Sequence, residues 1–204
     1  MLECCYKKDC FEAGLDEAGR GCLAGPVFAA AVILPADYRH LLLRDSKTLN
    51  HKQRELLQRD IEKNAVSFSV NLVDEKTIDS INILKASIKA MHLSIKGLST
   101  KPGHLVVDGN YFLPYRKIPH KTVVKGDNTY MNIAAASILA KTYRDDWMKK
   151  LHSEYPEYNW EGNKGSGTKA HVEAIKNYGL TPYHRRSFHV KSLLQYSLFQ
   201  NKCL

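Results

Sequence analysis

The sequence predicts an α/β fold, a mixed sheet with helices on both faces. Three observations point there. The longest apolar run, Val27–Leu34, is bounded by Pro26 and Pro35 and reads as a strand buried on both sides. Strands come first with little helix between them, and strands alternating with helices follow. A chain of 204 residues fits one domain, and its 44% apolar and 25% charged composition is that of a folded globule.

In chain order, Phe11–Asp16 reads as a strand that ends in an acidic pair. After the buried strand 27–34, Asn50 is placed to cap a charged helix over His51–Asn64. Val66–Val73 alternates Val66, Phe68, Val70 and Leu72 with polar residues, the period of a half-buried strand. Asp74–Leu98 reads as one helix, with Leu84, Ile88, Met91, Ile95 and Leu98 along a single face. Leu105–Val107 is a short strand closed by the turn signal Asp108-Gly109-Asn110, and His120–Lys125 is a further β-rich piece. A long Ala-rich helix follows from Thr129 to His152. Another over Thr168–Tyr178 is stopped by Gly179 and Pro182. Neither an internal repeat nor a Ser/Gly linker interrupts the chain.

Charge and length restrict the function classes. Thirty Lys+Arg against 21 Asp+Glu leave a net charge of +9, which suits either a polyanionic partner or a solvated basic surface. No apolar run approaches the roughly 20 residues of a membrane span. The start of the chain has no apolar core of a secretory signal, so the expected location is cytoplasmic, with no membrane partner. Cys4, Cys5, Cys10, Cys22 and Cys203 are odd in number and lack zinc-site spacing, so they are expected to be reduced thiols.

The chemistry lies in carboxylates at predicted strand ends. Asp16-Glu17 opens the Gly-rich run through Gly19, Arg20 and Gly21; Asp108 ends the strand at 105–107; Asp127 precedes the long helix. In open α/β sheets sites form beyond the carboxyl ends of strands. A lone Asp before Gly also suits a turn, and Asp127 also suits a helix cap. Neighbouring residues of a regular strand face opposite ways, so Asp16 and Glu17 share a site only if the strand ends between them. If all four acids converge, their repulsion calls for a hard divalent cation, Mg²⁺ or Mn²⁺, and the pair of metals used in phosphoryl transfer is the natural chemistry. Gly19 and Gly21 open the main chain to a ligand, and Arg20 between them suits a phosphate; a tight hairpin needs the same glycines. Residues 162–191 mix Lys164, Lys169, Lys176, Arg185, Arg186 and Lys191 with histidines and aromatic rings, against the single acid Glu173. That mixture suits a nucleic-acid backbone, or a solvated tail.

At this point the sequence resembles bacterial ribonuclease HII, the type 2 RNase H, from Phe11 to Lys191. The motifs stand in the family's order: GLDEAGRG at 14–21, DSKTL at 45–49, INIL at 81–84, VVDGN at 106–110, VVKGD at 123–127, AAASILAKTYRD at 134–145, NKGSGT at 163–168 and HRRSF at 184–188. The resemblance implies an RNase H-like fold, a five-stranded mixed sheet flanked by helices with a helical C-terminal extension over 160–204. It sets residues 1–10 apart as an N-terminal segment, with 11–204 as one type 2 RNase H domain whose catalytic core runs to about residue 155. It implies a monomeric endoribonuclease that hydrolyses the RNA strand of RNA–DNA hybrids and incises 5′ to ribonucleotides embedded in duplex DNA, as ribonucleotide excision repair requires.

Residue by residue, Asp16, Glu17 and Asp108 match the family's metal-binding acids and Asp127 its fourth catalytic carboxylate. Gly19, Arg20 and Gly21 match the loop that reads the ribose 2′-hydroxyl. Lys47 matches a backbone-contacting lysine. Lys164, Ser166, Arg185 and Arg186 fall in the family's substrate-contacting segments, while Arg144 and Asp145 match a pair expected to be structural. Two positions depart from the pattern. Cys22 stands where the family has Pro, and Ser166 where it has a Tyr that stacks on the sugar beside the ribonucleotide.

Overall fold

The computed structural model describes residues 2–45 and 49–188. Strands β1 (Glu12–Ala18), β2 (Val27–Ile33), β3 (Ser67–Val73), β4 (His104–Asp108) and β5 (His120–Val123) form one sheet in the order β3-β2-β1-β4-β5. β2 runs antiparallel to both β1 and β3, and β4 runs parallel to both β1 and β5, which makes the sheet mixed as expected. The helices are α1 (His51–Asn64), α2 (Glu75–Ile81), α3 (Ile83–Gly97), α4 (Met131–Glu154), the single turn α5 (Trp160–Asn163) and α6 (Lys169–Tyr178). Among the described residues no helix is long and apolar enough to cross a membrane.

β2 is apolar throughout because both of its faces are covered. Ala30 and Val32 join Leu57, Ile61 and Leu139 under α1 and α4. Ala29, Ala31 and Ile33 join Leu15, Leu105, Val107, Met91 and Ile95 under α3. Helix α4 crosses β1 closely at Gly14, where a Cβ would fall 2.2 Å from the backbone carbon of Asn132. The Asn132 side chain then ties the layers, donating to Glu12 O at 3.1 Å and accepting from Leu34 N at 3.0 Å. A third cluster, Ala24, Met148, Leu151, Tyr158 and Trp160 with Ala174 and Ile175, joins α5 and α6 to the end of α4. The C-terminal part is helical through α6; residues 189–204 lie outside the described residues.

Two elements differ from the sequence reading. The helix expected over Asp74–Leu98 is two helices, α2 and α3, meeting at Asn82, which takes φ 68 and caps α3 by accepting from Lys85 N. Asparagine tolerates the left-handed region and is a strong N-cap, so one residue both breaks and restarts the helix. Leu84 consequently lies in the first turn of α3 at 39% exposure, away from the core that holds Ile88, Met91 and Ile95. The strand expected to stop at Asp16 continues through Ala18, paired opposite Phe28.

Candidate active site

The carboxylates are gathered by the central parallel pair. β1 and β4 pair Leu15 with Val107, so Asp16 and Asp108 are the next residues along neighbouring strands. Leu15 and Val107 face the α3 side of the sheet, and alternation turns Asp16 and Asp108 toward α4. Asp16 is buried, accepts from Glu17 N at 2.7 Å and is hydrogen-bonded to Ser137 of α4. Burial pushes its carboxyl well above the usual range, and the charges of Glu17 and Asp108 push it further. Burial also raises Glu17, and the Asp108 charge adds to this. The Arg20 guanidinium, 2.9 Å away, opposes the rise. Both acids lie within electrostatic reach of Asp108, and β1 runs on through Ala18 with no strand end between them. Glu17 Oε2 is buried and has no hydrogen-bond partner.

Asp127 reaches the same region through the turn after β5. Val123 pairs with Asp108, Lys125 takes φ 57, and Gly126–Asn128 form one 3-10 turn. Gly126 N–H donates to Asp108 Oδ1 at 2.7 Å, which places buried Asp127 one residue from a direct tie to that carboxylate. Helix α4 is N-capped by Tyr130, so the helix-cap reading of Asp127 falls away. Among the described residues no three His, Cys, Asp or Glu side chains stand ready as a closed metal cluster. The donor set nevertheless fits a hard divalent cation: mutually repelling carboxylates, raised by burial, with one buried oxygen still unpaired.

The Gly-rich loop beside these acids is fastened by two buried guanidiniums. Arg144 of α4 donates to Pro26 O at 3.0 Å, Ala24 O at 3.1 Å and Lys164 O at 2.9 Å. Gly19, at φ 92, is where Arg144 passes, and a Cβ there would lie 2.0 Å from its Nε. Arg185 donates twice to Gly25 O, at 2.9 and 2.7 Å, and once to Arg20 O at 2.9 Å. Burial, with the Arg144 charge, pulls the Arg185 guanidinium down to about 10. The charge of buried Glu75 faces both arginines, though its Oε1 has no hydrogen-bond partner. The main chain completes the attachment: Leu23 N and Ala24 N donate to Gly165 O, and Gly25 N donates to Tyr183 O.

The expected substrate contacts therefore divide. Arg185, at 2% exposure with its donors on loop carbonyls, holds the loop and is not a surface ligand for phosphate. Adjacent in sequence, Arg186 is exposed, its N–H held by Asp79 at 2.9 Å. Arg20 is half-exposed, and the α-carbon of Gly21 faces open space. Lys164 is half-buried, with its ammonium on Glu161 O. Ser166 Oγ lies 3.7 Å from Cys22 Sγ, so the two departures from the family pattern touch each other. Lys47 lies outside the described residues. The sequence reading passed over Ser137, a lone polar residue in the apolar run 133–140, and that interruption was the available signal.

Residues 13–191 match the protein-family model described as Ribonuclease HII. The chain belongs to the ribonuclease HII family. It is 60% identical over 176 residues to the ribonuclease HII of Christiangramia forsetii, covering 86% of this chain and 89% of that one. Among solved structures it is similar to the ribonuclease H2 of Pyrococcus horikoshii OT3, at a TM-score of 0.77 and 26% identity over 93% of this chain and 99% of that one. It shares its fold with Bst-RNase HIII in complex with Mn²⁺, at a TM-score of 0.72 and 16% identity over 92% and 70% of the two chains. Membership makes the chain an RNase H-type endoribonuclease acting on RNA–DNA hybrids, in a metal-dependent family with an RNase H-like fold.

Proposed function

We propose that Asp16, Glu17, Asp108 and Asp127 form the hydrolytic centre, and that the enzyme also incises 5′ to single ribonucleotides embedded in duplex DNA. The observation that carries this is the unpaired buried oxygen of Glu17 among acids that raise one another's affinity for protons. Asp16, Glu17 and Asp108 would hold divalent metal, Mg²⁺ or Mn²⁺; the Mn²⁺ complex of an enzyme with the same fold supports that choice. Such a cation supplies charge neutralisation and Lewis acidity at the scissile phosphate.

The chain's own groups do the rest. Gly126 N–H fixes the rotamer of Asp108, and Ser137 with Glu17 N–H fixes that of Asp16. The main chain at Gly19, Arg20 and Gly21, held from below by Arg144 and Arg185, meets the ribose 2′-hydroxyl and the adjoining phosphates. Arg20, Lys164 and Arg186 supply positive charge to the strand, and Lys47 joins them. Asp127 orients the attacking water, and hydrolysis leaves a 3′-hydroxyl and a 5′-phosphate.

The deciding experiment uses duplex DNA carrying one ribonucleotide, with and without EDTA, and maps the nick and its ends. The reading expects an EDTA-sensitive nick 5′ to the ribonucleotide. A 2′,3′-cyclic phosphate product would mean attack by the 2′-hydroxyl and refute it.

A further inference from the structure

Residues 1–10 form the N-terminal segment ahead of β1. Leu2 is buried in the core beneath α4, and Glu3 forms a parallel bridge with Tyr130. Glu3 N–H donates to Thr129 O at 2.8 Å, and Met131 N–H donates to Glu3 O at 2.8 Å. Both bonds grip the chain just past Asp127, at the join between its turn and helix α4.

A 3-10 turn of three residues is short and poorly bonded, and it follows Lys125 in the left-handed region. Its internal bonds run from Asn128 N to Lys125 O and from Thr129 N and Tyr130 N to Gly126 O. On its inner side Gly126 is bonded to Asp108, itself one of the proposed working acids. The Glu3 bonds tie the other side, and they engage none of the proposed catalytic carboxylates.

The segment is itself anchored. Tyr6 N and Lys7 N donate to the Glu12 carboxylate at 2.7 and 2.9 Å, and buried Glu12 is paired with buried His104 at 2.8 Å. The Tyr6 ring stacks on His104 and meets Tyr130 edge-on, with centroids 5.6 and 6.1 Å apart. These ties lie on β1 and β4, the strands that carry Asp16 and Asp108. The segment therefore links the sheet bearing three of the acids to the turn bearing the fourth.

We propose that Leu2–Lys7 is a positioning strap that fixes Asp127 relative to Asp108 through the backbone of Glu3. The proposal rests on Asp127 being catalytic. Misplacing a catalytic group by about an ångström can cost roughly 100-fold in rate, and partial loosening is expected to cost about tenfold.

The test is a double-mutant cycle on an RNA–DNA hybrid, read as kcat and KM in single-turnover and steady-state assays. Glu3→Pro removes the N–H given to Thr129, whereas Glu3→Ala keeps both backbone bonds. Glu3→Pro should lower kcat about tenfold with KM unchanged, and Glu3→Ala should leave both unchanged. Because the strap acts through Asp127, Glu3→Pro should cost less than twofold in an Asp127→Asn background. Tyr6→Ala, which loosens the anchor and leaves the backbone intact, should show the same coupling at smaller amplitude and serves if Glu3→Pro does not fold. Equal losses in the two backgrounds, or unchanged kcat in Glu3→Pro and Tyr6→Ala, would overturn the strap alone. Full activity of Asp127→Asn would overturn the assignment of Asp127 and the strap with it.

Discussion

At the ends of β1 and β4 a buried Glu17 oxygen is left without a partner, and burial and repulsion hold Asp16 and Glu17 above their usual pKa range. A few residues on, beneath the loop 19–26, Arg144 and Arg185 place their guanidinium donors on named carbonyls at 2.7–3.1 Å. The first region leaves a carboxylate oxygen unmet at the proposed centre, whereas the second matches its guanidinium donors to carbonyls and leaves only Glu75 Oε1, facing the two arginines, without a hydrogen bond. A centre that accepts a cation and a phosphate keeps unmet demand at its surface, whereas a scaffold pairs the donors that hold it. The contrast is open to attack from either side.

The largest effect is expected at the incomplete end. Asp108→Asn removes a ligand charge while its amide oxygen can still accept from Gly126 N–H. Turnover should fall by orders of magnitude, with thermal stability equal to the wild type or higher, because one repelling charge is gone. Hydrolysis rates beside a melting curve check this, and full activity would remove Asp108 from the centre.

Breaking the closed region should do the reverse. Arg144→Met leaves the carbonyls of Pro26, Ala24 and Lys164 without their donor and Glu75 with one fewer counter-charge. A buried acceptor left without its donor costs about 1–3 kcal/mol. The folded population and substrate affinity should both drop, while chemistry in the surviving folded enzyme changes less than in Asp108→Asn. Denaturant titration and a KM-against-kcat comparison separate the two cases.

What the sequence made legible follows the same division. A strand end followed by glycine pointed to Asp108, and an acidic pair just ahead of a Gly-rich run pointed to Asp16 and Glu17, because a turn beyond a strand leaves a local signature. The cap at Asn50 and the apolar run of β2 were legible for similar reasons: each is a short-range pattern with one physical cause. Arg185 and Arg186 could not be told apart, since composition does not say which of two adjacent arginines turns inward to loop carbonyls some 160 positions away. The break at Asn82 was hidden because the apolar period continues across it. Glu3 was hidden because its tie to the Asp127 turn uses only backbone, which carries no side-chain signal.

A smaller and pH-dependent effect is expected in the buried histidine pair behind the Ser166 loop. His184 Nδ1 accepts from Thr181 N at 2.9 Å, so its proton sits on Nε2 and points to His171 Nε2 at 3.1 Å. His171 carries its proton on Nδ1, donating to Ser166 O at 2.8 Å, while Trp160 Nε1 donates to its Nε2 at 3.0 Å. A second proton on His171 Nε2 would face the donors of Trp160 and His184, and burial, with His171 adding, pulls His184 down to about 4. A folded pKa below the unfolded value of about 6.5 gives stability that is complete above that value and lost as pH falls toward 4, on the order of 3 kcal/mol. Melting temperature should fall through this window. His184→Asn, which keeps an acceptor for Thr181 N and cannot titrate, should flatten the fall from a lower starting point. An unchanged pH profile would show that the pair does not control acid stability.

The finest test falls where the closed loop meets the surface. Ser166 is half-buried, its carbonyl held by His171 and its hydroxyl 3.7 Å from Cys22 Sγ. A serine offers no ring to a sugar, and one stacking contact is worth about 1–3 kcal/mol. Ser166→Tyr would raise a ring beside Cys22 without disturbing the backbone bonds that hold the loop. A continuous hybrid presents many registers and many 2′-hydroxyls, so a better sugar contact adds little to it. A duplex with one ribonucleotide presents a single register, and there the added ring should improve positioning. Ser166→Tyr should therefore raise the rate on the single-ribonucleotide duplex several-fold and the rate on the hybrid by less, both measured with the same enzyme preparation. Equal gains on the two substrates would mean that the ring acts as general affinity and not as a reader of the junction. No gain on either would mean that this position leaves the sugar untouched.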